Sequence, residues 1–477
     1  MNNFVSADAV GILDSPDEVL STLGRDGVRR WLYPEESRGR HWRRRLALGW
    51  ALIAFFVALP VVQVGGHAAV LLDVVGREFH LFGLTLFPTD TFLLLLFGLG
   101  ALASVLLLTA LFGRVWCGWA CPQTVYLEFV YRPLERLIEG GETVRRRRDA
   151  GPWTLDKAWR KALKLAVFGA TSVALAHVFV SYFAGWDRLL VWMQGSPLDH
   201  WGYFVLMAGT SGLVLFNFGY FREQMCTIAC PYARFQSVLL DPDSLIVSYD
   251  PSRGEPRGRG RERDGLGDCV DCLACVRTCP VGIDIRDGLQ MECTACTQCV
   301  DACDDIMLRV GKPTGLIRYT SENALDGLPT RVVRPRTLLY GLLLAVTLSG
   351  LALALASRAP FDVNVVRSVG APYLELPDGT VANRLRFRVR NQTPEPATFT
   401  VEAVTPAGVA VRVLGVAPLR LASQEMHRVE TFVAAPRALF GASGAVRVTF
   451  RLRFSDGTAE DVPFTLIGPA GAPAAGV

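Results

Sequence analysis

No cysteine lies before residue 117 or after residue 303, although the 477-residue chain contains 12 cysteines. A secreted disulfide scaffold would spread its cysteines more evenly, so this distribution favours metal or redox chemistry. The first thirty residues lack the apolar core and the cleavage site of a signal peptide, so we expect membrane entry through internal helices. A CxxCH motif for c-type haem is also missing. A G-x-G-x-x-G fingerprint after a strand is missing as well, so the sequence has no recognisable flavin or nicotinamide site.

Long apolar runs are present, and they predict that part of the chain lies in a bilayer. Hydrophobic residues make up 51% of the sequence and charged residues 20%, a balance that favours a protein with both membrane and aqueous parts. A bilayer core about 30 Å thick needs about 20 apolar residues of helix. We predict five spans, with four or six as alternatives. The five lie at residues 46–64, 92–112, 165–183, 203–220 and 338–356.

The basic residues that flank these runs predict an orientation. Arginines and lysines cluster before the first span and between the second and third spans. The loops 65–91 and 185–202 contain only Arg77 and Arg188 as basic residues. Because basic loops stay in the cytoplasm, we predict a multi-pass protein of the bacterial inner membrane. Its N-terminus and its cysteine-rich segment would lie in the cytoplasm, and everything after the fifth span in the periplasm.

Eight of the cysteines form two copies of one spacing. The pattern Cys-x2-Cys-x2-Cys-x3-Cys begins at Cys269 and again at Cys293, which is the rhythm of two-cluster bacterial ferredoxins. Each loop supplies three thiolates to one [4Fe–4S] cluster and lends its last cysteine to the other cluster. Paired zinc sites are the alternative, but zinc does not need this doubled rhythm. The predicted ligands are Cys269, Cys272, Cys275 and Cys303 for the first cluster, and Cys293, Cys296, Cys299 and Cys279 for the second.

The other four cysteines form a duplicated CxxxCP motif. It occurs at Cys117 and Cys121 after the second span, and at Cys226 and Cys230 after the fourth span. If each helix continues through its motif, the two thiols share one face, and both pairs would meet near the inner membrane surface. Soft thiolates bind Cu(I), zinc or iron–sulfur clusters, so a copper-handling dithiol, a structural zinc site and a third cluster stay open. Buried cysteines that only pack at helix ends are the simpler alternative.

Two further stretches carry weaker signals. Residues 251–265 are rich in arginine, glycine and proline, and we interpret them as a basic flexible linker whose neighbours would be anionic headgroups. His177 lies in the third predicted span and is a candidate haem ligand. No second histidine lies at a similar depth in another span, so a packed histidine is the favoured interpretation.

From residue 361 onward the hydrophobic pattern has a period of two. Residues 385–390 and 446–454 alternate apolar and polar side chains, and Pro-Asp-Gly and Ser-Asp-Gly turns separate such runs. This pattern predicts an Ig-like β-sandwich with a docking or stabilising role. The fold class is therefore multidomain, with a helical membrane domain, an inserted ferredoxin module and a β-sandwich. The predicted domains are an N-terminal segment (1–45), a four-span membrane domain (46–220), the ferredoxin module (221–336), a fifth span (337–357) and the β-sandwich (358–477).

The sequence resembles the cytochrome c oxidase accessory proteins of the FixG, RdxA and CcoG type. The resemblance rests on the two CxxxCP motifs, the ferredoxin pair, the run Val300-Asp-Ala-Cys-Asp-Asp-Ile-Met and the run Leu376-Pro-Asp-Gly-Thr-Val-Ala-Asn-Arg. It implies a role in assembling a cytochrome-cbb-type oxidase through reduction of Cu(II) to Cu(I). The implied copper-reducing thiols are Cys117, Cys121, Cys226 and Cys230, with the ferredoxin cysteines as electron carriers.

Because the sequence has no recognisable flavin or nicotinamide site, electrons must come from a partner, and we expect a cytosolic electron donor besides the membrane. The resemblance implies a copper transporter or oxidase assembly factors and the oxidase subunits, and a second copy of the chain is a further candidate partner. Nucleic acid is not expected, because the arginine clusters flank apolar runs. Two other functions stay open: a quinol-linked electron-transfer subunit without copper chemistry, and an assembly scaffold whose clusters sense redox state.

Overall fold

The computed structural model describes residues 21–22, 28–76, 78–86, 90–260, 264–393, 395–405, 409–413, 419–422 and 425–470, without the side chains of 411–413. Contacts divide the chain into two compact units, Met1–Ala352 and Leu353–Val477. Much of the predicted N-terminal segment and Arg77 of the predicted outer loop lie outside the described residues.

Helices build most of the first unit. Four of those described are long and apolar enough to cross a membrane, and only 6% to 28% of each apolar window is buried within the protein. Large exposed apolar surfaces of this kind are unfavourable in water and are typical of helices that face lipid. Three π-helical turns, Leu127–Tyr131, Asn217–Phe221 and Met225–Ala229, interrupt the helices. The four candidate spans are Thr91–Phe112, Leu155–Ala184, Trp201–Phe221 and Pro335–Ala356. The helices in chain order are α1 (Arg40–Ala58), α2 (Thr91–Phe112), α3 (Val115–Trp119), α4 (Pro122–Tyr126), α5 (Arg132–Glu139), α6 (Glu142–Ala150), α7 (Leu155–Ala184), α8 (Trp186–Trp192), α9 (Trp201–Phe216), α10 (Pro231–Val238), α11 (Pro251–Gly254), α12 (Ala274–Arg277), α13 (Gln298–Arg309), α14 (Glu322–Leu325) and α15 (Pro335–Ala356).

The predicted first span, 46–64, differs from the structure at both ends. Helix α1 begins at Arg40 and ends at Ala58. Pro60 follows the helix end, and a proline cannot donate the next helical hydrogen bond. Residues 63–64 already form a β-strand. The apolar part of α1 is therefore shorter than the roughly 20 residues that a span needs. The other four predicted spans coincide with α2, α7, α9 and α15, and the count of five stays a prediction.

Five short strands connect α1 to α2. The first two form a hairpin, and the other three form an antiparallel sheet. Near the same end of the helical bundle, the hydroxyl of Tyr182 on α7 donates to the carbonyl of Phe56 on α1 at 2.5 Å. The strands are β1 (Gln63–Val64), β2 (His67–Ala68), β3 (Val70–Asp73), β4 (Glu78–Leu81) and β5 (Leu84–Leu86).

A small α/β module follows the third candidate span. Strand β6 (Ile246–Tyr249) pairs antiparallel with β7 (Ile317–Thr320), and both cysteine loops and the helices α12 and α13 lie between them in sequence. The predicted linker 251–265 is folded where it is described, because Arg253 pairs with Asp268 at 2.7 Å and donates to the carbonyl of Thr314 at 3.0 Å. Residues 261–263 lie outside the described residues. The apolar core of the module is formed by Val247, Tyr249, Val281, Ile283, Ile285, Met307, Leu316 and Ile317.

The second unit is a two-sheet β-sandwich, as the alternating pattern predicts. Leu385, Phe387 and Val389 are fully buried, whereas Arg384 before them and Arg388 between Phe387 and Val389 are exposed. One sheet has the order β12-β14-β10-β8 with β9 on β10, and the other has the order β13-β11-β15-β16. The strands are β8 (Phe361–Arg367), β9 (Leu374–Glu375), β10 (Thr380–Asn391), β11 (Ala397–Thr405), β12 (Ala410–Val413), β13 (Leu419–Leu421), β14 (Met426–Pro436), β15 (Ala445–Phe454) and β16 (Ala459–Ile467).

Candidate redox site

The two ferredoxin loops share one unusual backbone conformation. Asp271 and Leu273 flank Cys272 with φ of 50° and 60°, and Ala295 and Thr297 occupy the equivalent positions of the second loop with φ of 53° and 60°. Left-handed residues other than glycine are uncommon and strained, and they persist where the surrounding structure requires a tight turn. Here they wrap the chain so that the cysteines of each loop border one cavity.

Two cavities bring the eight ferredoxin cysteines together in two groups. Cys303, the last cysteine of the second motif, borders the cavity of the first loop, and Cys279 borders that of the second loop. Cys275 lines both cavities. The groups are those that the spacing predicts, while their role as ligands stays a prediction. The first cavity is lined by Cys269, Cys272, Cys275 and Cys303, and the second by Cys279, Cys293, Cys296 and Cys299.

The chemistry of these thiols fits a cluster. Burial, reinforced by neighbouring thiols, raises the pKa of Cys279 and Cys303 to about 12 and that of Cys293 to about 11. Thiols in such apolar cavities stay protonated unless a strongly cationic group replaces the proton, and iron does so. Among the described residues, no group of three or more His, Cys, Asp or Glu side chains is spaced for a single metal ion. A cavity ringed by thiols therefore suits a [4Fe–4S] cluster better than a zinc ion.

The CxxxCP motifs fold differently from a continuous helix. Cys117 lies in α3, but α3 ends at Trp119, and Cys121 adopts an extended conformation before Pro122 begins α4. In the second motif, Cys226 lies in the π-helical turn, and Cys230 is likewise extended before α10. The expectation that each pair shares one helix face is therefore wrong. Proline at the first helical position explains the break, because it starts a new helix and disfavours helical geometry in the residue before it.

The two motifs nevertheless lie near each other. Burial raises the pKa of Cys226 to about 12, and the nearby thiols of Cys121 and Cys117 contribute in the same direction. Burial also raises the pKa values of Cys117 and Cys121, with a further contribution from Cys230 in both cases. Each motif thus lies within electrostatic reach of the other. We call these four side chains the four-thiol site.

Sequence reasoning missed a glutamine at this site. The thiol of Cys117 donates to Oε1 of buried Gln236 at 3.0 Å. The amide nitrogen of Gln236 donates in turn to the hydroxyls of Thr109 and Tyr232, at 3.0 and 2.8 Å. This series of hydrogen bonds links Cys117 directly to α10, and through Gln236 to Thr109 on α2. The one feature of the sequence that could have suggested Tyr232 and Gln236 is that both follow the second CxxxCP motif closely.

The four-thiol site lies directly against the second ferredoxin loop. A Cβ placed on Gly118 would lie 2.5 Å from the carbonyl oxygen of Thr294 and 2.8 Å from the Cα of Cys296. Only glycine allows two backbones to approach this closely. Arg45 fixes the same turn by donating to the carbonyl of Gly118 at 2.9 Å, and Arg114 donates to the carbonyl of Met291. The loop that holds Cys117 and Cys121 thus contacts the loop that holds Cys293, Cys296 and Cys299.

Buried ion pairs attach the membrane-proximal helices to one another. The guanidinium of Arg222 donates to both carboxylate oxygens of Glu135, at 3.1 and 3.0 Å, and Arg145 donates to the same carboxylate at 2.6 Å. Burial opposes ionisation of Glu135, but Arg222 and its neighbours hold the pKa of this carboxyl well below its usual range. These buried ion pairs connect the two hairpin ends that carry the two CxxxCP motifs.

A second set of buried polar contacts joins these helices to the ferredoxin module. Arg132 pairs with Glu128 and donates to the carbonyl of Pro280, the residue after Cys279, at 3.2 Å. Gln298, beside Cys299, donates to Glu128 at 3.3 Å. The second loop is therefore anchored to the helix that follows the first CxxxCP motif.

Three family models match this sequence. A 4Fe-4S binding domain matches residues 93–140, which include Cys117 and Cys121, and a 4Fe-4S dicluster domain matches residues 221–322, which include all eight ferredoxin cysteines. An IG-like fold at the C-terminus of FixG matches residues 351–469.

Curated relatives match across nearly all the modules. The chain is 38% identical to Protein RdxA of Cereibacter sphaeroides, with 86% of this chain and 87% of that protein covered. It is 34% identical to Nitrogen fixation protein FixG of Rhizobium meliloti, with 81% and 82% covered, and 36% identical to Protein RdxB of Cereibacter sphaeroides, with 84% and 87% covered.

Proposed function

Because this chain belongs to the FixG and RdxA family and carries 4Fe–4S domains beside long apolar helices, it is an iron–sulfur electron-transfer protein, and we propose that it reduces Cu(II) to Cu(I). The reduced copper would be passed on for assembly of a cytochrome-cbb-type oxidase, as the family resemblance implies. Copper is the substrate in this proposal, and the four-thiol site is where it would be reduced.

The contact between Gly118 and the second ferredoxin loop carries this proposal. The loop that holds Cys117 and Cys121 lies so close to the loop of the second cavity that a Cβ on Gly118 would clash with the backbone of Thr294 and Cys296. Clusters held by the eight ferredoxin cysteines would supply single electrons. Each Cu(II) ion takes one electron, so one-electron groups match the reaction. Cys117, Cys121, Cys226 and Cys230 favour the product, because soft sulfur ligands bind Cu(I) better than Cu(II).

An anaerobic reduction experiment tests the proposal. The purified protein is reduced, excess reductant is removed, and Cu(II) is added with a chromogenic chelator that traps Cu(I). We expect Cu(I) to form in step with recovery of the absorbance of the oxidised clusters, one ion for each electron lost. Reduced protein whose absorbance does not respond to Cu(II) would contradict copper reduction and leave an electron carrier for another acceptor.

The cavity linings predict which thiols hold which cluster. Replacing Cys303 by alanine should remove one of the two clusters, and about half of the bound iron, because a cubane normally needs all four protein ligands. Iron analysis and low-temperature EPR of the reduced protein measure the loss. The matched control is Cys230→Ala, which lies outside both cavities and should keep all the iron. Loss of iron from the control instead would show that the four-thiol site itself holds a cluster.

We also propose the orientation that the basic flanks predict, with the ferredoxin module in the cytoplasm and the β-sandwich unit in the periplasm. The run of four arginines from Arg145 to Arg148 supports it, because basic segments stay on the cytoplasmic side. Protease added to spheroplasts should therefore digest the β-sandwich and leave the segment 221–322 intact until the membrane is opened. Digestion of that segment in intact spheroplasts would reverse the assignment.

A further inference from the structure

An apolar pocket lies between two candidate membrane spans. It has a volume of about 430 Å³ and is bordered by residues of α7, α8 and α9. This volume is within the range of about 300 to 1,000 Å³ that is typical of small-molecule sites. Since α7 and α9 are both candidate membrane spans, a lipid-soluble ligand can reach the pocket from the bilayer.

Aromatic rings form one wall of this pocket. The ring of Trp192 packs near two others, with its centroid 4.6 Å from that of His200 and 4.4 Å from that of Tyr203. Leu189 and Met207 complete this wall. Rigid aromatic surfaces at these spacings favour a flat ring over a flexible acyl chain, because ring stacking adds to the stabilisation that apolar burial provides.

His177 supplies a polar group that prefers a hydrogen-bond donor on the ligand. Nδ1 of His177 lies 2.8 Å from the carbonyl oxygen of Val173, one turn earlier on α7, and the ring borders the pocket. A carbonyl oxygen only accepts hydrogen bonds, so Nδ1 carries the proton in this contact. In the neutral ring Nε2 is then an acceptor. It suits a ligand hydroxyl and does not suit a ligand carbonyl.

The histidines of the pocket do not indicate a metal site. Among the described residues, no group of three or more His, Cys, Asp or Glu side chains is spaced for a metal ion, and this includes His177 and His200.

We propose that this pocket binds a membrane-soluble hydroquinone, a flat ring with hydroxyl groups and an apolar tail. The ring would lie against Trp192, and one hydroxyl would donate to Nε2 of His177. The reduced hydroquinone should bind better than the oxidised quinone, whose two carbonyl oxygens can only accept. This inference does not depend on copper reduction at the four-thiol site.

Binding to the full chain in lipid nanodiscs tests this site. The probe is a decyl-substituted benzohydroquinone under anaerobic conditions, compared with its quinone, and binding to empty nanodiscs is subtracted. We expect saturable binding near one molecule per chain, with the hydroquinone bound about tenfold more tightly than the quinone. Ala208→Trp should fill the pocket and weaken binding of both forms at least tenfold. His177→Phe should abolish the preference for the reduced form while keeping binding of the ring.

The matched control is Leu206→Trp, which adds the same side chain on α9 at an exposed position that does not line the pocket. It should bind like the unchanged protein. Equal binding by the Ala208 and Leu206 variants, a preference for the quinone, or binding no greater than that of empty nanodiscs would overturn the site. The Ala208→Trp protein, reduced chemically, should still reduce Cu(II). Failure of the pocket and failure of copper reduction are thereby distinguished.

Discussion

Replacing Cys226 and Cys230 by alanine is expected to slow Cu(II) reduction about a hundredfold, a rise of about 2.7 kcal/mol in the activation barrier. The double substitution removes two of the four soft ligands that favour Cu(I). It leaves the eight cysteines of the two ferredoxin cavities in place, so iron content and cluster absorbance should not change. The rate is measured anaerobically with chemically reduced protein, from the appearance of chelated Cu(I).

Thr227→Ala provides the control for this double variant. Thr227 lies in the same π-helical turn as Cys226, and its hydroxyl donates to the carbonyl of Glu223 at 3.4 Å. The control tests whether disturbing this turn is enough to slow the reaction, and we expect it to keep the full rate. Undiminished copper reduction by the double cysteine variant would move the reduction site away from the CxxxCP motifs.

The local part of the candidate site could be predicted from the sequence. Thiol spacing is a property of a short loop, so the rhythm that begins at Cys269 and Cys293 indicates which cysteines group together, and the cavities bring together those same groups. Period-two alternation in 385–390 likewise predicts buried Leu385 and Phe387 in the β-sandwich. In both cases the determining interactions lie within a few residues of one another.

Long-range contacts could not be predicted in this way. Gln236 bonds to Cys117, which lies more than a hundred positions earlier, and nothing in the local pattern of α10 indicates that contact. The ordered segment that begins at Pro251 has the composition of a linker, yet Arg253 is held by Asp268 and Thr314. The expectation for the CxxxCP motifs assumed that the helix continues from Cys117 to Cys121, four residues later. Pro122 disfavours helical geometry at Cys121, so this assumption fails for a reason that lies within the motif itself.

The contact between the four-thiol site and the second ferredoxin loop yields the other large expected effect. Gly118→Ala should slow the oxidation of the reduced protein by Cu(II) at least tenfold, about 1.4 kcal/mol in barrier height. The added methyl group would lie 2.5 Å from the carbonyl oxygen of Thr294, and main-chain atoms cannot give way as a flexible side chain can. The two loops must therefore separate, and the distance between the thiols and the second cavity increases.

Helix propensity cannot explain such a loss, because Gly118 lies within α3 and alanine stabilises a helix relative to glycine by roughly 0.5–1 kcal/mol. The matched control is Gly169→Ala on α7, where an added Cβ meets no atom within 4 Å. Stopped-flow recovery of the oxidised-cluster absorbance on mixing with Cu(II) gives the rate for each variant, and iron content shows that both clusters are retained. If the Gly118 variant keeps its iron and is oxidised as fast as the Gly169 variant, electrons do not reach copper through this contact. If it is oxidised slowly while its thiols still bind Cu(I), the close approach of the two backbones is what connects the ferredoxin module to the site of copper reduction.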